Sequence, residues 1–167
     1  MTIEPKRQTA RAVTDGDTVL ASVDIPLPPE RAFRALTTAE IEDWWGSPDK
    51  YRMIDWTADL TVGGSWRVIV LNADGTRLPA SGVFLKIDAP RKIVLTRRYD
   101  WDFPLLGRRE TTVTYRFDLI STGTRVTVRQ DGFSGLTQPA EQHALGWERV
   151  RGWLDDHAAR TPQSART

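Results

Sequence analysis

The last third of the chain constrains the fold most, because an alternating segment there leads into one long amphipathic helix. Beyond Ala140 the apolar side chains recur in steps of three and four, at Ala144, Trp147, Val150, Leu154 and Ala158. This spacing places them on one stripe of a helix that we expect to run to about Arg160. Most of residues 51–131 alternates in the manner of strands. One helix after a run of antiparallel strands is expected to lie across the sheet.

The charged and reactive residues exclude several classes of function. The 167 residues include 23 basic and 22 acidic side chains, a formal net charge of +1, which argues against nucleic acid as a partner. Because the chain has no cysteine, it has no disulfide, thiolate nucleophile or cysteine-ligated metal. Imidazole is supplied only by His143 and His157, so we expect neither a metal site nor a cofactor.

The length fits a single domain, which we expect over residues 17–160, with flexible tails at 1–16 and 161–167. No apolar run approaches the roughly 20 residues that a membrane-spanning helix needs. The first 16 residues contain no hydrophobic signal region either, so we expect a cytoplasmic protein. Seven tryptophans in a chain of this size need a broad core or an apolar cavity to line.

Seven strands and two short helices are predicted ahead of the long helix. The first strand, over 19–25, ends at prolines that begin a short helix over 30–36, and a second short helix follows through Trp45. The other six strands are expected over 51–60, 65–71, 77–87, 92–99, 113–119 and 124–131, with glycine-containing turns between several of them.

Ten segments carry, in their order and spacing, a resemblance to a known family. They are 28–37, Trp44-Trp45, 59–66, Asp74-Gly75, 82–87, Ala89-Pro90, 93–96, 123–128, Gly132-Phe133 and Gly146-Trp147. Over about residues 19–158 the chain resembles the SRPBCC (START-like) superfamily, and within it the branch named for the activator of heat-shock protein 90 ATPase homologue. The resemblance implies an α+β helix-grip fold. In that fold a curved, seven-stranded antiparallel sheet wraps around the long C-terminal helix, and two short helices follow the first strand.

The resemblance also implies an apolar cavity between sheet and helix, which the superfamily uses for lipid and steroid transfer, polyketide cyclisation, hormone sensing and antibiotic sequestration. Binders and enzymes share this fold, so the fold alone does not choose between them. Our leading hypothesis is binding of a small hydrophobic or aromatic ligand, such as an acidic, lipid-like or polyketide-like metabolite. The alternatives are a cavity enzyme of the cyclase, dehydratase or isomerase type and a protein-binding, co-chaperone-like module.

Arg97 is the strongest candidate for a ligand contact. It shares one face of its predicted strand with Leu95 and Tyr99, where an unpaired guanidinium costs several kcal/mol. A ligand carboxylate, enolate or phosphate would pair with it. Two alternatives stay open: the strand twists Arg97 to solvent, or an internal carboxylate pairs with it, for which the candidates are Asp55, Asp59, Glu110 and Asp131.

The other candidate ligand contacts are mostly aromatic side chains on inward faces. They are Trp56, Trp66, Phe84, Tyr99, Trp101, Tyr115, Gln130, Phe133, His143 and Trp147. Most are equally consistent with plain core packing. His143 lies one turn before Trp147, so it is a general-base candidate or a structural histidine, and no catalytic residue is assigned. The apolar loop over 99–107 is predicted to be a lid over the cavity or, alternatively, a self-association patch that forms a homodimer.

Overall fold

The computed structural model of the protein describes residues 13–15 and 18–161. Its helices are α1 (Pro29–Thr37), α2 (Ile41–Trp44) and α3 (Thr137–Arg160). Its strands are β1 (Val13–Asp15), β2 (Thr18–Ile25), β3 (Tyr51–Ala58), β4 (Ser65–Asn72), β5 (Arg77–Asp88), β6 (Lys92–Tyr99), β7 (Thr111–Ile120) and β8 (Gly123–Asp131).

All strands form one antiparallel sheet in the order β1-β2-β8-β7-β6-β5-β4-β3. The predicted α+β helix-grip fold is confirmed, because seven strands curl around the C-terminal helix and two short helices follow the first of them. The strand that the sequence analysis missed is β1, which lies within the predicted N-terminal tail and pairs along the edge of β2. The remainder of both predicted tails, apart from Thr161, lies outside the described residues.

Helix α3 covers the concave face of the sheet with the predicted apolar stripe. Ala144, Trp147, Val150, Leu154 and Ala158 are all buried, and they join the core contributed by the inward faces of the strands. The Trp147 ring meets Tyr115 of β7 edge-on at 6.0 Å between ring centroids. The stripe therefore determines which face of the helix meets the sheet.

An ionic cluster joins the two short helices to the end of α3. Glu40, which precedes α2, accepts hydrogen bonds of 2.8 and 3.1 Å from both terminal nitrogens of Arg31 in α1. The Nε2 atom of His157, near the end of α3, lies 2.9 Å from the same carboxylate. The Arg31 and Glu40 side chains are 11% and 17% exposed, so this pair is largely removed from water. The cluster fixes α1 and α2 over one end of the sheet.

Thr96 anchors β6 immediately before Arg97. Its carbonyl oxygen accepts the indole N–H of Trp66 at 3.0 Å, and its hydroxyl accepts the backbone N–H of Val83 at 2.9 Å. Gly82 lies in this crowded place, because a Cβ at that position would collide with the Thr96 carbonyl and the Trp66 indole. The close approach of β5 to β6 thus requires glycine here.

Two glycine-to-alanine substitutions are expected to have opposite effects on stability. Gly82→Ala should lower the free energy of unfolding by about 1–3 kcal/mol, since the added methyl overpacks the strand pair. Gly152→Ala in α3 should raise it by about 0.5–1 kcal/mol, because nothing lies within 4 Å of the new Cβ and alanine favours helix. Urea unfolding measures both values. Equal effects of the two substitutions would contradict the packing described here.

Candidate functional site

One large cavity, of about 520 Å³, lies between α3 and the ends of strands β3 to β6. The strands contribute Tyr51, Val70, Leu78, Arg97 and Tyr99 to its wall. Helix α3 contributes Gln142, His143, Leu145, Gly146, Trp147, Arg149 and Val150. Within the described part of the chain, its lining contains two arginines, Arg97 and Arg149, and no aspartate or glutamate. The cavity is therefore mainly apolar, with a positive charge that no lining carboxylate neutralises.

Six of the predicted contact residues line this cavity. They are Arg97, Tyr99, Trp101, Gln130, His143 and Trp147. All come from three places, the end of β6 with the loop after it, the end of β8, and the first half of α3. The cavity therefore occupies one end of the concave surface.

Five other predicted contact residues, all within the described part of the chain, do not line the cavity. Trp56 stacks on Trp66 at 5.7 Å, and Trp66 and Phe84 are core residues. Tyr115 borders a much smaller void, of about 20 Å³, on another side of Trp147. Phe133 lies behind His143, with 4.9 Å between the ring centroids. These five side chains pack in or against the core and not at the cavity wall, and their role as ligand contacts remains a prediction.

Arg97 is the polar group that distinguishes the cavity wall. Its guanidinium carbon lies 5.8 Å from the ring centroid of Trp45 and 5.5 Å from that of Tyr99, so two aromatic faces hold the cation. Among the described residues, no carboxylate forms an ion pair with it. Of the four internal partners considered, Asp55 pairs with Arg77 and Asp131 pairs with Arg129. Asp59 accepts a hydrogen bond from Thr61, and Glu110 is exposed. The described residues therefore provide no carboxylate partner for Arg97.

A short hydrogen-bond chain lies beside Arg97. The hydroxyl of Tyr99 is 2.9 Å from Nε2 of His143, and Nδ1 of the same ring is 2.8 Å from the backbone carbonyl oxygen of Pro139. Burial, with a smaller contribution from the charge of Arg97, lowers the pKa of His143 to about 4 despite the opposing bond to Pro139. The imidazole is therefore neutral at neutral pH.

Gln130 forms hydrogen bonds within the protein through both its amide oxygen and its amide nitrogen. Its Oε1 accepts the indole N–H of Trp147 at 2.8 Å, and its amide donates to the hydroxyl of Thr111 at 2.9 Å. That hydroxyl in turn donates to the backbone carbonyl of Arg97 at 3.0 Å. Gln130 thus connects α3 to β7 and β6, and its main contribution is to hold Trp147 and the Arg97 backbone in place.

The loop that follows β6 closes one side of the cavity. The Tyr99 ring stacks on Phe103 at 4.5 Å and meets Trp101 at 5.8 Å, and Phe103 lies 5.3 Å from the His143 ring. Trp101, Phe103 and Pro104 line the cavity, whereas the Leu105 side chain is 66% exposed. The indole N–H of Trp101 is buried and has no partner among the described residues.

Several lining residues were missed by the sequence analysis, notably Trp45, Tyr51, Gln142 and Arg149. Trp45 packs edge-on against Trp147 at 5.5 Å, a contact between residues far apart in the chain. Arg149 lies over the Tyr51 ring at 5.9 Å at the outer end of the cavity. The Trp44-Trp45 pair was a detectable signal, because two adjacent tryptophans at the end of a short helix concentrate aromatic surface there, with their ring centroids 5.4 Å apart.

Among the described residues, no group of His, Cys, Asp or Glu is arranged to hold a metal ion. In the same part of the chain, no helix has the length and apolar character that crossing a membrane requires.

The curved antiparallel sheet around a long C-terminal helix defines the chain as a helix-grip domain of the SRPBCC superfamily. The sequence identifies the branch. A family model described as "Activator of Hsp90 ATPase homolog 1-like protein" matches residues 26–158, and the chain belongs to this family. The resemblance found in the sequence is therefore confirmed.

Solved structures share the fold at low sequence identity. A protein from Chromobacterium violaceum is 22% identical, with a TM-score of 0.75, and the match covers 87% of this chain and 99% of that one. A protein from Mycobacterium smegmatis is 19% identical, with a TM-score of 0.74 and coverage of 93% and 99%. An AHSA1 protein from Silicibacter pomeroyi is 20% identical, with a TM-score of 0.68 and coverage of 85% and 97%. The comparison with curated proteins gave no match.

The neutral state of His143 predicts a specific dependence of stability on pH. Its pKa is about 4 in the folded protein and about 6.5 in the unfolded chain, so the unfolded state binds more protons between these values. The contribution of neutral His143 to the free energy of unfolding is thus complete above pH 6.5. It is lost as the pH decreases towards 4, and the total loss from this residue is roughly 3 kcal/mol. His143→Gln should flatten this part of the curve, as measured by urea unfolding at closely spaced pH values.

The Glu40 cluster is the internal reference for that experiment. The pKa of Glu40 is lowered, because hydrogen bonds from Arg31 and His157 outweigh the effect of burial, which raises it. Its contribution is lost only as the pH falls from the unfolded pKa, near 4.5, through the lower folded value, in wild type and variant alike. An undiminished loss of stability above pH 4.5 in His143→Gln would contradict the assignment to His143.

Proposed function

We propose that the protein binds a small anionic aromatic ligand in the cavity between sheet and α3, with Arg97 as the anchor of the anion. The observation that carries the proposal is Arg97 itself, a half-buried guanidinium held between two aromatic rings at a cavity whose described lining has no carboxylate. A cation kept in such a place, with no ion-pair partner in the described part of the chain, is poised to pair with an anion.

The cavity wall supports an aromatic or otherwise flat apolar body for this ligand. A volume of about 520 Å³ is within the range of sites for small molecules, and Trp45, Tyr99, Phe103 and Trp147 contribute rings to the wall. Aromatic walls provide large contact areas at little cost in side-chain entropy. Affinity would come from this burial, and orientation from the few polar groups.

Removing the Arg97 charge should abolish discrimination between an acid and its neutral isostere. Wild type is expected to bind naphthoic acid about ten to a hundred times more tightly than naphthamide, since a charge-assisted pair forms only with the acid. In Arg97→Met, which keeps the length and apolar stem of the side chain, both ligands should bind alike. Isothermal titration calorimetry measures the four affinities.

Arg149→Met is the matched control, because it removes the other cavity arginine, which is exposed at the outer end. We expect it to keep most of the preference for the acid and to reduce the salt dependence of binding. The anchoring role of Arg97 is refuted if Arg97→Met keeps the full preference, or if Arg149→Met loses it instead.

We also propose that the loop after β6 acts as a lid over this ligand. Trp101 and Phe103 contribute aromatic surface to the wall, and the buried Trp101 N–H lacks a partner among the described residues. An unpartnered buried donor costs about 1–3 kcal/mol, which opening of the loop to water would relieve. The alternative assigns the same aromatic residues to a homodimer interface.

The double substitution Trp101→Ser and Phe103→Ser separates the two roles of the loop. If the loop is a lid, naphthoic acid should bind about tenfold or more weakly, while the sedimentation behaviour stays that of wild type. Leu105→Asn, in the exposed tip of the same loop, should change neither measurement. Unchanged affinity together with a smaller oligomer would instead support the interface.

An enzyme that uses the same cavity is the second candidate function, and the Tyr99–His143 pair beside Arg97 is the observation that favours it. Arg97 would stabilise an enolate while the pair moved a proton. A pKa of about 4 makes His143 a weak base at neutral pH, so we place binding first. The protein-binding alternative rests on the name of the family, which refers to activation of the Hsp90 ATPase. We also propose a cytoplasmic location, as the sequence predicts.

A further inference from the structure

The hydrogen bonds from Pro139 through His143 to Tyr99 can run in only one direction. A backbone carbonyl oxygen accepts and never donates, so Nδ1 of His143 must carry the proton in its 2.8 Å bond to Pro139. A neutral imidazole has one N–H, and Nε2 is therefore an acceptor. The 2.9 Å contact between Nε2 and Tyr99 then requires the phenol to donate.

This direction determines what Tyr99 offers to a ligand. A phenol has a single proton, which Tyr99 donates to His143 in this hydrogen bond. The Tyr99 oxygen can therefore only accept a hydrogen bond from another partner. The reversed arrangement would need an imidazolium, which burial and the charge of Arg97 disfavour at neutral pH. Tyr99 is thus a hydrogen-bond acceptor on the cavity wall.

Arg97 presents the opposite polarity next to it. A guanidinium has five N–H donors and no acceptor, and its carbon lies 5.5 Å from the centroid of the Tyr99 ring. Both side chains line the same cavity. A cationic donor and a neutral acceptor therefore lie side by side, a pattern that an acid lacking any donor would satisfy only in part.

We infer that the cavity is selective for hydroxy acids, in which an anionic group pairs with Arg97 and a separate hydroxyl donates to the oxygen of Tyr99. The inference rests on the proposed function and adds the class of ligand to it. Aromatic hydroxy acids and acids with a stable enol carry both groups. Their methyl ethers keep the oxygen and lose the proton, which makes them the discriminating comparison.

The test uses hydroxynaphthoic acids whose hydroxyl is not adjacent to the carboxylate, so that no internal hydrogen bond competes. Each is compared with its methyl ether and with unsubstituted naphthoic acid by isothermal titration calorimetry. For at least one position of the hydroxyl, wild type should bind the hydroxy acid about tenfold more tightly than the ether. The same acid should bind at least as tightly as the unsubstituted one.

Two variants separate hydrogen bonding from the greater bulk of the ether. Tyr99→Phe should lose the preference for hydroxyl over ether and keep the preference for acid over amide. His143→Phe keeps a ring in the aromatic cluster but removes the acceptor of the Tyr99 proton, so Tyr99 can donate a hydrogen bond to the ligand. The preference for the hydroxy acid over its methyl ether should then become smaller or reverse. A preference that survives unchanged in Tyr99→Phe would reflect bulk alone and would overturn the inference.

Nitrogen-15 NMR of the wild-type histidines tests the direction of the chain without any substitution. The spectrum should show His143 as the neutral tautomer protonated on Nδ1, whereas protonation on Nε2 would overturn the inference even if a variant fails to fold. Equal binding of hydroxy acid, ether and parent acid would overturn it and leave the proposed function intact. Failure of every acid to bind folded wild type would overturn both.

Discussion

The hydrogen bond between the Trp147 indole and the Gln130 amide is the interaction on which the rest of the site depends. It joins the inner face of α3 to β8, and through Thr111 it continues to the backbone of Arg97. The Trp147 ring then supports Trp45, one of the two rings that hold the Arg97 cation. Because Gln130 is buried, loss of either partner would leave an unsatisfied polar group in the core. A single satisfied network thus fixes helix, sheet and anchor relative to one another.

The chain contains a direct comparison for Arg97, which forms no ion pair with any carboxylate of the described residues. Arg31 is even less exposed, and there the sequence provides Glu40 as a bidentate partner and adds His157 on the same carboxylate. Buried arginines elsewhere in a protein normally require such compensation. At Arg97 the protein provides aromatic faces instead, which stabilise the cation while leaving its N–H groups available. The two environments differ in the way expected if one arginine is structural and the other binds a ligand.

Sequence periodicity was sufficient for the fold and for part of the site. Alternation along β6 correctly predicted that Arg97 and Tyr99 share the inward face, and the stripe of α3 correctly placed Trp147 opposite them. Periodicity identifies a face but not a position along it, which is why it did not reveal that Phe84 lies away from the cavity wall. Phe84 pairs in register with Leu95, four residues before Tyr99, and at that level the core is filled. Trp45 was missed although the Trp44-Trp45 pair was visible in the sequence, because its contacts with Trp147 and Arg97 join distant segments that the pair itself does not specify.

The polarity of the site depends on a backbone group that no side-chain pattern reveals. Pro139 lies in the first turn of α3, four residues before His143, and its carbonyl oxygen determines which imidazole nitrogen carries the proton. That choice determines the direction of the Tyr99 hydroxyl, and the hydroxyl direction determines whether the cavity offers a donor or an acceptor beside Arg97. A phenylalanine at residue 143 would leave the aromatic packing nearly the same and yet release the phenol to donate. In the proposed binding site, specificity would therefore follow from proton position as much as from shape, since two proteins with the same wall could favour opposite ligands.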